Sequence, residues 1–104
     1  MRKQIIIDDN ARKELKRFNK SIQRKFVGLF TILGEEGKLD FPDARKISYD
    51  LFEIRVKVGG IYRGLYAYVQ RGYIVILHIF QKKSQKTPLK DIKTAEGRLI
   101  KYKP

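Results

Sequence analysis

Residues able to do phosphate chemistry crowd the second half of the chain. Glu53, Arg55 and Lys57 alternate in "LFEIRVKV", Arg63 interrupts "IYRGLYAYV", and His78 opens "HIFQKKSQKTP", which carries Lys82, Lys83 and Lys86. Strand alternation puts Glu53, Arg55 and Lys57 on one face. A guanidinium grips two phosphate oxygens through parallel hydrogen bonds, so paired arginines flanked by lysines can hold a bent RNA backbone and stabilise charge on a pentacoordinate phosphorus. Cleavage without a metal also needs a base for the 2′-hydroxyl and an acid for the departing 5′-oxygen. Glu53 and His78 are the candidates, with a lysine deprived of charge by its neighbours, or Tyr62, as substitutes.

Each of these residues also has a plainer explanation. His78, at the end of an apolar strand, fits a hydrogen-bonded structural histidine. Glu53 can simply pair with Arg55 or Arg63, and the lysines can solvate a loop. No acidic or histidine cluster has metal-ligand spacing, no glycine-rich phosphate loop precedes a helix, and no serine has a partnering base. Metalloenzyme and nucleotide-hydrolase readings are therefore weak.

Charge gives the hollow a context. Against 11 acidic residues stand 24 lysines and arginines, for a net charge of +13, which suits a polyanionic partner. Through position 45 there are 11 basic and 7 acidic residues, and beyond it 13 and 4. The excess therefore travels with the sheet and tail. The 104 residues, without cysteine, fit one domain spanning 1–104 and place no demand on an oxidising compartment, so the cytoplasm is the expected location. The run "YIVILHIF" falls well short of the roughly 18 apolar residues of a membrane span, and no targeting segment is visible.

The positioning elements follow from periodicity. "KQIIID" reads as a first strand, with Asp8, Asp9 or Asn10 capping the next helix. Ala11, Leu15, Phe18, Ile22, Phe26, Leu29 and Leu33 form a helical stripe. "FNKS" breaks it into a helix hairpin, with Ser21 as the second N-cap. "GEEGKLDFPDARK" reads as a loop. Three strands then form an antiparallel meander, the last two joined at Arg71-Gly72 so that Gln70 faces Tyr73, Arg63 faces Phe80 and Leu65 faces His78. At Gly59-Gly60 a glycine bulge is expected to align Lys57 with Arg63 and Arg55 with Leu65.

That register gives the helix pair a floor of Phe52, Ile54, Val56, Tyr66, Tyr68, Val75, Leu77 and Ile79. Val69, Ile74 and Ile76 are left for a C-terminal helix, which opens with Thr87 as N-cap and Pro88 as first residue and buries Leu89, Ile92, Leu99 and Ile100. The opposite end of that second face gathers Glu53, Arg55, Lys57, Arg63 and His78 into a cationic hollow. The expected fold class is α+β.

"LFEIRV", "GGIYRGLYAY" and "ILHIFQKKSQKTP", in this order with "LDFPDARKI" before them, resemble the HigB-type, phage Gp49-like branch of the RelE/ParE toxin superfamily across nearly the whole chain. The resemblance implies a RelE-like single domain: an N-terminal strand and helix hairpin packed on a mainly antiparallel sheet, with a C-terminal helix. It implies the toxin of a type II toxin–antitoxin pair, a ribosome-dependent mRNA endonuclease needing neither metal nor organic cofactor. Its partners would be the ribosome, mRNA and a helix-turn-helix, HigA-like antitoxin in a heteromeric complex. Arg63 in "YRGLY" matches the family's strand arginine near the scissile phosphate, and Arg55 matches a basic position on the preceding strand. Lys82, Lys83 and Lys86 match the basic loop, whereas Glu53 stands where some RelE relatives have lysine. The alternatives are a ParE-like inhibitor of DNA gyrase and a noncatalytic basic RNA-binding domain.

Overall fold

In the computed structural model, which describes residues 1–70, 72–83 and 86–103, the chain runs β1 (Gln4–Ile7), α1 (Asp9–Lys16), α2 (Lys20–Glu36), β2 (Ala44–Lys46), β3 (Phe52–Lys57), β4 (Ile61–Val69), β5 (Tyr73–Gln81) and α3 (Leu89–Leu99). A 3₁₀ turn, Ile100–Tyr102, follows α3. The five strands lie in the order β1-β5-β4-β3-β2, with β1 parallel to β5 and every other pairing antiparallel. The α+β class and the meander are as expected.

The helix hairpin forms, with its first cap among the expected residues and its second two residues earlier than expected. Asp8 caps α1 by accepting from the Asn10 backbone N–H at 2.9 Å. Asn19, rather than Ser21, caps α2: its side-chain oxygen accepts from the Ile22 N–H at 3.0 Å and from the Ser21 hydroxyl at 2.7 Å. An N-cap oxygen naturally reaches the third N–H onward, and Ser21 serves by orienting that oxygen.

Register differs from expectation in two places. Between β3 and β4 the connection is Val58-Gly59-Gly60, with Gly59 at φ +65, and Arg55 lies directly opposite Arg63 while Lys57 opposes Ile61. The offset from the expected alignment is two residues, one full side-chain period, so the same residues share each face. Between β4 and β5, Val69 rather than Gln70 opposes Tyr73, with Gln70 itself at φ +42. Arg71, half of the expected turn, lies outside the described residues. The one-residue slip is undone further along, where Leu65 pairs with His78 but Tyr66 pairs with Ile76. Leu77 is thus a β-bulge, and Arg63 does face Phe80.

Between turn and bulge the slip exchanges the two faces of β5. Ile74 and Ile76, expected under α3, pack with Ile22, Phe26, Phe30 and Leu33 of the helix pair. Val75 and Leu77, expected in that floor, pack with Ala95 and Leu99 beneath α3. Phe26 lies close over Gly64, where an added Cβ would stand 3.1 Å from the ring; truncating such a buried ring typically costs about 3–5 kcal/mol.

The terminal helix also departs from expectation. Pro88 occupies the N-cap position and Leu89 starts the helix, because the Thr87 side chain is engaged elsewhere. Leu89 and Ile100 are 63% and 71% exposed. Leu99 is buried as expected and Ile92 packs partly against the same core, while Asp91 and Ala95 join Leu99 in the buried stripe, a clean i, i+4, i+8 row. The end of the chain is pinned by the Tyr102 hydroxyl donating to Asp8 Oδ2 at 2.7 Å.

Candidate functional site

β2 builds the hollow, although only three residues of the expected loop are strand. Pairing Arg45 with Glu53 and Glu53 with Leu65 puts Arg45 on the face that carries Arg55 and Arg63. Glu53 is 0% exposed. One carboxylate oxygen accepts from Arg45 Nε at 3.3 Å and lies 3.1 Å from Arg63 Nε. The Arg63 N–H is not aimed along that line, so the contact is an ion pair without an aligned hydrogen bond. The other oxygen accepts from the Thr87 hydroxyl.

Lys82 completes the cluster at the end of β5. It is 5% exposed, and its Nζ has no hydrogen-bond partner among the described residues. Its backbone N–H donates to the Ile61 carbonyl at 2.7 Å, holding the residue beside the start of β4. Burial pushes the Lys82 ammonium below its ordinary pKa; Arg63, Arg45 and Arg55 push the same way, against Glu53. Burial also lowers Arg63, with Glu53 opposing and Arg55 and Arg45 adding repulsion. One buried carboxylate therefore answers several cations, a charge excess that burial makes costly.

His78 belongs to a different cluster. Its Nδ1 lies 3.0 and 3.1 Å from the two Glu14 oxygens, and its Nε2 lies 2.6 Å from Asp91 Oδ1. Arg98 grips Glu14 with both terminal nitrogens, at 3.0 and 2.9 Å, and donates to the Leu77 carbonyl at 2.9 Å. The Ile79 N–H also donates to Glu14. β1 ends opposite Ile76, so beyond it the edge of β5 has no strand neighbour; Glu14 and Arg98 answer its backbone groups instead, as buried polar groups require. Burial disfavours the imidazolium, but the bonds to Glu14 and Asp91 outweigh it and raise the His78 pKa. Burial would likewise raise Glu14, yet His78 and Arg98 bring it down to about 2.

Arg55, Arg63, Glu53 and Lys82 thus come together, while both ring nitrogens of His78 face carboxylates. Lys57 lies on the wall of an adjoining cleft of about 610 Å³, which Arg55, Arg63 and Lys25 also line. Lys83 and Lys86 are exposed on the loop; Ser84 and Gln85 between them lie outside the described residues. Arg45, Thr87 and Lys25 were not found from sequence. Arg45 becomes visible only once β2 pairs with β3, and Thr87 resembles an ordinary helix cap. Among the described residues no group of three or more His, Cys, Asp or Glu could hold a metal ion, and no helix is long and apolar enough to cross a membrane.

The family model described as "Phage derived protein Gp49-like" matches residues 13–100. No curated protein matches the chain. Among solved structures, a free arginine-to-alanine double mutant of Escherichia coli toxin RelE superposes with a TM-score of 0.68 at 12% identity, covering 97% of each chain. The toxin–antitoxin complex RelBE2 from Mycobacterium tuberculosis gives 0.62 at 20% identity over 79% of this chain and 100% of the other. The archaeal RelE–RelB complex from Pyrococcus horikoshii gives 0.58 at 24% identity, over 83% and 100%. At these identities the likeness is one of fold.

Proposed function

Since this chain belongs to the phage-derived Gp49-like family and has the fold of RelE, we propose that it is the toxin of a type II toxin–antitoxin pair and cleaves mRNA on the ribosome. The carrying observation is Lys82: a buried ammonium with no hydrogen-bond partner among the described residues, set beside Arg63 and Arg55. Unsatisfied buried cations are expensive in a structural role and useful where an anion will arrive.

In this reading Arg55 and Arg63 hold the nonbridging oxygens of the scissile phosphate. The 2′-oxygen bonds to phosphorus as its proton passes to solvent, the bond to the 5′-oxygen breaks, and Lys82 protonates that leaving oxygen. A lysine with a lowered pKa gives up a proton more readily than a free one. Glu53 is a positioning residue, fixing Arg63 and Arg45 while Thr87 fixes Glu53. His78 supports the strand that carries this geometry. Lys57, Lys83 and Lys86 contribute affinity for ribosomal and messenger RNA backbone.

The antitoxin is proposed as a small helix-turn-helix, HigA-like protein, with action in the cytoplasm where ribosomes work. Two structures of similar fold are toxin–antitoxin complexes, which supports such a partner. The test is to map mRNA 5′ ends after induction and to incubate purified protein with the same mRNA with and without ribosomes. Cuts that require ribosomes are expected; intact transcripts in growth-arrested cells would overturn the nuclease reading.

A further inference from the structure

The cleft beside the arginines has features that phosphate gripping does not need. Its volume of about 610 Å³ falls within the roughly 300–1,000 Å³ of small-ligand sites. Leu29, Pro42, Val56 and Ile61 give it apolar walls, and Asp43 is the acidic residue lining it. Among the described residues the Asp43 carboxylate has neither hydrogen bond nor ion pair, despite sharing the cleft with Lys25, Arg55, Lys57 and Arg63. Its position is set by the backbone instead, through the Arg55 N–H donating to the Asp43 carbonyl at 2.9 Å.

We propose that this cleft is a nucleobase subsite in which Asp43 selects guanine. Apolar walls suit the faces of a flat base. A carboxylate offers two acceptor oxygens and no donor. Guanine presents two adjacent donors, N1–H and the N2 amino group. Adenine and cytosine present one amino group beside a ring-nitrogen acceptor, and uracil one imino group between two carbonyls. Only guanine therefore meets Asp43 without setting acceptor against acceptor. Arg55 and Arg63 line the cleft and the hollow together, so a nucleotide with its base against Asp43 places its phosphate at the arginines. This rests on the phosphate-binding reading of the hollow and extends it to base choice.

Binding of guanosine, adenosine, cytidine and uridine 3′-monophosphates, measured by calorimetry on the intact protein, tests the assignment. Guanosine 3′-monophosphate is expected to bind at least about tenfold more tightly than the other three, in keeping with a bidentate base contact. Asp43→Ala should bring the four affinities together, and Asp43→Asn, with one donor and one acceptor, should move the preference toward adenine or cytosine. The Asp43 side chain is exposed and unpartnered among the described residues, so both variants should melt with the wild type. Equal binding of all four nucleotides by the wild type, no binding at all, or the same change for all four in Asp43→Ala would overturn the proposal; the last would mean Asp43 only tempers the local positive charge. Guanine selectivity without ribosome-dependent cutting would leave the subsite standing and remove the nuclease reading. Cutting without base selectivity would do the reverse.

Discussion

Glu53 and Glu14 are both withdrawn from water, both grip arginine, and both serve one sheet, yet their surroundings have opposite character. Around Glu14 the charges are matched: Arg98 binds it with both terminal nitrogens, His78 lies between it and Asp91, and the leftover carbonyl of Leu77 is met by Arg98. Around Glu53 the cations outnumber the acids, and Lys82 has no hydrogen-bond partner among the described residues. The first arrangement fastens α1, β5 and α3 together. The second leaves an excess of positive charge, which the proposed function assigns to an arriving phosphate. Completeness of pairing, more than residue type, separates a fastening from a receptor.

The comparison is broken most forcefully at Arg63. Arg63→Ala should lower ribosome-dependent cleavage per folded molecule by about 10²–10³-fold, as expected for removing a group that stabilises transition-state charge, a loss larger than the stability cost of leaving the buried Glu53 with one ion-pair partner fewer. A folded Arg63→Ala protein cutting at full rate would contradict the site. Glu14→Ala is the mirror experiment. It strands His78 and Arg98 with reduced compensation and should cost about 3 kcal/mol in urea unfolding, while the protein that remains folded still cuts. Equal stability of mutant and wild type would dissolve the distinction between the clusters.

Lys82→Met sharpens it. Replacing a buried ammonium that makes no hydrogen bond and is repelled by three arginines with an apolar chain of similar length should raise stability by about 1 kcal/mol and abolish leaving-group protonation, so the melt moves up as cleavage falls. Loss of stability would mean that Lys82 has a structural partner. The smallest effect is that of pH. His78 has a raised folded pKa, so its contribution is full below the unfolded value of about 6.5 and is lost as pH rises through the folded pKa. Glu14, lowered from 4.5 to about 2, contributes above 4.5 and loses its contribution as pH falls toward 2. Urea midpoints should therefore decline on both sides of a plateau between those limits. His78→Gln should flatten the alkaline decline and shrink the acid one, because the bond to His78 is among those that lower Glu14; an unaltered alkaline limb would remove His78 from the fastening.

Much of this architecture is legible in the residues because its signals are periodic. The helical stripe from Ala11 to Leu33 and the alternation of Glu53, Arg55 and Lys57 fix their faces, and a register error of a whole side-chain period at Gly59 changes neither. What escapes has no local signal. Ala44–Lys46 is too short for alternation to show, so Arg45 reads as loop although it reaches Glu53. "YIVILHIF" is apolar on both faces, so nothing in it announces that Leu77 is the odd residue. From register alone His78 shares a face with the arginines; only the placement of α1 and α3, which bring Glu14 and Asp91, assigns it to another cluster.

The bulge at Leu77 has a mechanical consequence. Because β5 changes phase there, its two halves are indexed separately against β4: one by the loop at Gln70, the other by the alignment of Phe80 with Arg63. A one-residue slip confined to Tyr73–Leu77 would exchange the faces that pack under the helix pair and beneath α3 and would shift the pairing with β1. The alignment of Arg63 with Phe80 lies beyond the bulge, so the arginine and lysine geometry at that end is set independently of the strand's first half.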